Sequence, residues 1–111
     1  MNQDASAPDC QLWLALPAAL EQEAVDALLA GQWLIADLLV LAGDTPLALA
    51  PPLSAIERVR GRSRRALVLV ITRVADVEPV LASLNTALNG ARLDWWSAPI
   101  LASGRLGGGE S

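Results

Sequence analysis

From Arg64 to Arg73 the chain reads RRALVLVITR. Ala66 to Ile71 are all apolar, and an arginine pair and a single arginine stand at the two ends. A β-branched, apolar run of this length fits a strand. Side chains of a strand alternate between its faces, so a run without polar alternation needs cover on both. Whatever this chain folds into must shield that strand twice.

A second stretch has the same character. In Cys10–Leu16 (CQLWLAL), Leu12, Leu14 and Leu16 alternate with Trp13 and Ala15, which makes it an inner strand closed by Pro17. Ala18 to Ala30 is rich in helix formers. Leu20, Ala24, Ala27 and Leu28 form one stripe, and Glu21, Glu23 and Asp26 lie off it. Gly31 reads as the helix stop. Gln32–Ala42 is too apolar for periodicity to decide between strand and helix; a glycine stop before it and Gly43-Asp44 after it favour a strand. Asp44–Pro52 holds three prolines and reads as a loop. Leu53–Arg60 fits one or two helical turns, capped by Ser54 with Glu57 three residues on. Val77, Val80, Leu81, Leu84 and Leu88 form a helical stripe, with Asp76 as its cap and Pro79 in its first turn. Asn89-Gly90 ends that helix, and Ala91–Leu101 is a last strand that Pro99 confines to an edge.

The order is β-α-β-loop-β-α-β. This predicts an α+β, ferredoxin-like βαββαβ fold: a four-stranded antiparallel sheet with two helices on one face. The 111 residues make a single domain over 10–106, with disordered tails at 1–9 and 107–111. Helices on one face leave the other bare, although two strands are apolar on both sides. Burial against further copies of the chain is the simplest cover. A mean hydropathy of +0.39 agrees with apolar surface spent on subunit contacts.

Composition removes several function classes. The chain has no histidine, which excludes Ser-His-Asp and Cys-His catalysis and every His-ligated metal site. One cysteine excludes a disulfide framework and a Cys-rich zinc module. With tyrosine and lysine also missing, few acid–base or nucleophilic groups remain, and an enzyme is not expected. A net charge of −4 argues against nucleic acid as a partner. The longest apolar run, Trp33–Ala42, is broken by Asp37 and falls short of the ~18 residues of a membrane span. The short acidic start has no basic segment of the secretory kind, so a cytoplasmic protein without membrane insertion is expected.

The charge is unevenly spread. Arg58, Arg60, Arg62, Arg64 and Arg65 are five of the chain's eight basic residues. Beside Gly61, alternate arginines can hold a phosphate or carboxylate through paired hydrogen bonds. They equally suit a solvated strand entrance that fences an apolar strand against aggregation. Trp95 and Trp96 point to opposite strand faces and serve either packing or ligand stacking. Cys10 has no activating neighbour in sequence and reads as inert. Asp37 lies within an apolar run and either pairs with an arginine or faces solvent at a sheet edge.

The segments CQLWLALPAALEQEAVDALLA, LSAIERVRGRSRRALVLV and LDWWSAPILASGRL, in this order and spacing, resemble a family of small bacterial proteins of unknown function grouped with PII-like proteins. Some members of that family are encoded beside heavy-metal efflux pumps. The resemblance spans roughly residues 9–106. It implies a PII-like homotrimer whose ligand lies in the cleft between subunits, with the loop at 43–62 as a flexible effector arm toward a partner protein. It further implies that Arg62 and Gly104-Arg105 face that cleft. The candidate ligand-binding set is therefore Arg58, Arg60, Gly61, Arg62, Arg64, Gly104 and Arg105, for a small anion such as a nucleotide. No motif names a cofactor, and no metal ligands are assigned. The alternative is an accessory protein of heavy-metal resistance acting through protein contacts or metal binding.

Overall fold

The structure, a computed structural model, describes residues 7–46 and 61–107. Four strands are present there: β1 (Cys10–Pro17), β2 (Asp37–Pro46), β3 (Arg62–Thr72) and β4 (Asp94–Pro99). Helix α1 (Glu21–Ala30) follows β1, and α2 (Val74–Ala87) joins β3 to β4. The sheet order is β2-β3-β1-β4, and every neighbouring pair is antiparallel. This is the ferredoxin-like arrangement that the element order predicts. The two strands with apolar residues on both faces, β1 and β3, are the inner pair.

Pairing fixes which residues share a face. Leu12, Leu14 and Leu16 oppose Val70, Val68 and Ala66. All six are essentially inaccessible and meet Ala24 and Leu28 of α1 and Val80 and Leu84 of α2, with Leu88 beyond it. Burying each such leucine stabilises the fold by about 1.5–3 kcal/mol. The stripes read from both helices are the ones that pack. On the other face stand Trp13, Ala15, Leu67, Leu69, Ile71, Leu39, Leu41 and Trp96, with no element of the described chain over them.

Several boundaries differ from expectation, each for a local reason. The first helix begins as a 3₁₀ turn over Ala18–Leu20, and α1 proper starts at Glu21. Gly31 ends α1 in an extended conformation, so its missing side chain serves packing and not a left-handed turn. A Cβ there would collide with the indole of Trp33, whose Nε1 donates to the Leu28 carbonyl at 2.6 Å. Residues 32–36 are consequently a loop, and the second strand starts at Asp37. It continues through Gly43 and Asp44 to Pro46, four residues past the predicted end. An edge strand tolerates a proline at its end, where the missing N–H is not needed. Of the predicted loop at 43–62, residues 43–46 and 62 are thus strand. The predicted helical turns at Leu53–Arg60 lie outside the described residues, as do most of both predicted tails. Asp37 opens the edge strand, exposed, and accepts from the Leu38 N–H at 2.8 Å. The last strand is shorter than Ala91–Leu101, because Asn89 and Gly90 turn with positive φ and residues 91–93 then bridge to the sheet.

Helix α2 begins at Val74, three residues before its predicted start at Val77. Arg73 occupies the N-cap position with no side-chain cap bond, and Asp76 lies inside the first turn. Asp9, predicted to be tail, supplies a cap from a distance: its Oδ1 accepts from the Val74 N–H at 2.8 Å. Its backbone also bonds to Thr72 and Ile100. Asp76 instead clamps the 32–36 loop. Its Oδ2 accepts from the Leu34 N–H at 2.9 Å and pairs with Arg73 Nη2 at 2.7 Å. Thr72 Oγ1 completes the clamp by donating to the Leu34 carbonyl at 2.6 Å. The bond from Leu34, with help from Arg73, holds the Asp76 carboxyl below its ordinary pKa.

A depressed carboxyl pKa stabilises the fold fully above the unfolded value and less as pH falls through the folded one. Asp76→Ala is expected to cost about 2 kcal/mol near neutral pH, the range for a charge-assisted bond. The difference from wild type should shrink below about pH 4. Urea unfolding of both proteins across that range measures it.

Candidate functional site

The polar end of the sheet is the base of the β2–β3 hairpin. Gly61, in the left-handed region at φ 73°, turns the chain into β3. Arg62 then pairs with Pro46, Ser63 with Thr45, Arg64 with Asp44 and Arg65 with Gly43. Strand alternation separates the arginines. Arg64 lies exposed on the face of Ala66 and Val68, whereas Arg65 shares the open face with Leu67 and Leu69.

Arg65 is the one that the sheet holds. Its side chain is 20% exposed, and Nη2 lies 3.5 Å from Asp94 Oδ2. Asp94 is shared: Arg92 Nε approaches its Oδ1 at 3.9 Å. Both contacts are longer than the 2.7–2.9 Å of a strong charge-assisted bond. The Nε of Arg65 is buried without a hydrogen-bond partner, and leaving such a donor unmade costs about 1–3 kcal/mol. A cleft of about 400 Å³ lies alongside, lined by Arg65, Asp94, Ala15, Leu41, Gly43 and Leu67. A smaller one of about 210 Å³ lies by Ala18, Asp44 and Arg64.

Sequence reasoning grouped Arg65 with its neighbours but left it out of the binding set. The signal was present: Arg65 has the same parity as Leu67, Leu69 and Ile71, so it alone of the pair Arg64-Arg65 faces the bare side. Of the set that was chosen, Gly61, Arg62 and Arg64 sit at this base. Arg58 and Arg60 lie outside the described residues. Gly104 and Arg105 are exposed in the segment after β4. That strand leaves the sheet beside Cys10, since Pro99 opposes Cys10 and Ala15 opposes Asp94. Arg65 opposes Pro17, at the far end of β1. Eight residues of β1 separate the ends by roughly 25 Å. Within one copy the sheet does not bring the hairpin base and the exit of β4 together.

The tryptophans divide as their alternation predicts. Trp96 lies on the open face, stacked on Trp13 with ring centroids 6.2 Å apart and planes within 6°. Trp95 faces the helices and lines a recess of about 190 Å³ with Leu81, Leu84, Leu88 and Leu93. Among the described residues no group of three or more His, Cys, Asp or Glu side chains is placed to hold a metal ion. No described helix is long and apolar enough to cross a membrane.

A family model for proteins of unknown function, DUF3240, matches residues 6–107. The chain belongs to that family. No curated protein matches it. A solved DUF3240 protein from Shewanella baltica OS155 superposes with a TM-score of 0.69 at 15% identity, covering 91% of this chain and 99% of that one. CPII from Thiomonas intermedia K12, a nitrogen regulatory PII-like protein bound to ADP, AMP and bicarbonate, gives 0.58 at 16% identity, covering 89% and 97%. CutA from Synechococcus elongatus PCC7942, in complex with Bis-Tris, gives 0.60 at 18%, covering 89% and 87%. At these identities the likeness concerns the fold: this DUF3240 chain has a PII-like, ferredoxin-like subunit.

In this DUF3240 member the single thiol is shielded from solvent. Cys10 is buried at the start of β1, and desolvation, followed by the charge of Asp9, raises its pKa. A thiol reagent such as Ellman's is expected to modify Cys10 only at the rate of unfolding. The check is to compare labelling kinetics in buffer and in urea; fast labelling of the native protein would contradict the burial.

Proposed function

We propose that this protein is a PII-like regulatory binding module and not an enzyme. Copies assemble as a homotrimer through the open sheet face. A small anion, with nucleotides among the candidates, binds in a cleft between copies at the hairpin base. Binding there is coupled to contact between the 43–62 segment and a partner protein. A cytoplasmic location belongs to the same reading.

The observation that carries this is the hairpin base itself: an arginine-rich entrance to β3, beside clefts, at the margin of an uncovered apolar face. The row Leu39–Leu69–Trp13–Trp96 crosses all four strands on that face. Leu39 and Trp96 at its ends are about half exposed, at 52% and 48%. A contiguous apolar row of this kind marks an interaction surface. The likeness to CPII, described with ADP, AMP and bicarbonate, favours ligands of that chemistry. Because β4 leaves the sheet at the end away from Arg62, a site using both Arg62 and Arg105 is drawn from two copies in this reading. The metal-resistance alternative draws no support from the described residues.

Light scattering on purified protein should give the mass of three chains, and Leu69→Glu should give one chain with unchanged far-UV circular dichroism. Calorimetry with ADP, AMP and bicarbonate tests the ligand. Arg62→Ala and Arg105→Ala should each weaken binding by about tenfold or more, the loss of one charge-assisted contact. Unchanged affinity in both variants would show the site to be misplaced.

A further inference from the structure

The recess beside Trp95 lies on the helix side of the sheet. Trp95 pairs with Leu14 and shares its face, whereas Trp96 stands on the open face with Trp13. The recess holds about 190 Å³. Leu84 and Leu88 line it from the core, and Leu81, Leu93 and Ala91 complete its apolar lining. Trp95 closes it with an indole that is 49% exposed, a large apolar surface left uncovered beside buried leucines. Asn85 adds the single polar side chain of the lining, and no charged residue takes part. Among the described residues the Asn85 side-chain amide has no hydrogen-bond partner.

The frame of the recess is fastened without a ligand. Asn89 and Gly90 turn the chain with positive φ after α2. The Gly90 N–H donates to the Asn85 carbonyl at 2.9 Å, and the Ala91 N–H donates to the Leu88 carbonyl at 3.0 Å. These bonds hold three lining residues in place, so a ligand would meet a preorganised site and lose little affinity to ordering it. Volume then decides the ligand class. A cavity of roughly 150 Å³ lined by aliphatic side chains is enough for benzene. Drug-sized ligands take about 300 Å³ or more. The recess fits one small aromatic molecule and is too small for a nucleotide. An uncharged lining also gives an anion no counter-charge.

We propose that this recess binds a small neutral aromatic molecule carrying one hydroxyl or N–H, of the phenol or indole class. Its ring packs against the Trp95 indole among the leucines, and its polar group bonds to the Asn85 side-chain amide. This goes beyond the function proposed above, whose ligand is an anion held between copies. Here the ligand is uncharged and lies on the other side of the sheet, within a single subunit.

Phenol is the probe, with toluene as the analogue lacking the hydroxyl and sodium benzoate as the charged control. The readouts are the proton–nitrogen resonances of the Trp95 Nε1–H and of the Asn85 side-chain amide. Phenol is expected to shift both saturably and to leave the Nε1–H signals of Trp13 and Trp96 in place. Benzoate should not bind. Asn85→Ala should weaken phenol about five- to tenfold, the loss of one hydrogen bond, and leave toluene unchanged. A merely structural role of Asn85 would move both. Trp95→Ala, read through the Asn85 amide, should weaken both ligands by about tenfold or more. Leu69→Glu should keep full phenol affinity. The proposal is overturned if phenol gives no saturable shift, if benzoate binds as well, or if Asn85→Ala and Trp95→Ala both leave phenol binding unchanged. Phenol binding lost in folded Leu69→Glu would place the site between copies and overturn it too. Phenol bound normally by a wild-type protein that has the mass of one chain would support it while removing the trimer proposed above.

Discussion

The fold depends on one constraint: its two central strands are apolar on both faces, and a βαββαβ chain has helices for only one. On the covered side Leu12, Leu14 and Leu16 of β1 interleave with Ala66, Val68 and Val70 of β3 under α1 and α2. On the bare side the same strands present Trp13, Ala15, Leu67, Leu69 and Ile71. Nothing in strand geometry lets a sequence make one side wet without changing residues two apart, because the period is fixed at two. The open face is therefore a retained property of β1 and β3, and its apolarity demands a function.

Edges of the sheet answer differently from its centre. β2 carries Leu39 and Leu41 on the open face, but it also holds Asp37, Gly43, Asp44 and Pro46, residues poorly suited to an inner strand. β4 is short and ends at Pro99. Both strands extend the apolar row outward and limit further strand addition. The inner pair supplies stability and the outer pair shapes what can approach. The loop between α1 and β2 is fastened to the inner pair through Asp76, Thr72 and Leu34, so that the edge strand is delivered in register.

Much of this was legible in the residues. Runs apolar on both faces at Cys10–Leu16 and Arg64–Arg73 read as the strands that form the inner pair, and stripes at 3.6 residues read as both helices with their packed faces. What the residues concealed were contacts between segments distant in sequence. Asp76 has the spacing of a helix cap, yet its carboxylate serves Leu34, 42 positions earlier. Gly31 has the position of a helix stop, yet its small size serves Trp33. Gln32–Ala42 reads as one apolar block because the loop residues Trp33 and Ile35 pack against the core as strand residues do. At the candidate site, charge density drew attention to Arg62 and Arg64. Density ignores parity, and parity singles out Arg65, which a pairing register makes obvious.

Arg65 and Asp94 also account for how an apolar face can end. A purely apolar sheet surface would have no preferred boundary for association, and one extra residue of overlap would cost nothing. A charge pair set into the margin makes overlap expensive, since covering either group without its partner strips its solvation. The loose geometry of the pair, together with a donor left unmade, means that this boundary has not been optimised for stability alone. An ion pair tuned only to terminate an interface would close to below 3 Å and satisfy Nε, as Arg73 and Asp76 do just beyond the other end of the same strand. The contrast between these two arginine–aspartate pairs, one tight and clamped and one long and shared, separates an ion pair that fastens a loop to the fold from one that stays adjustable at the margin of the open face.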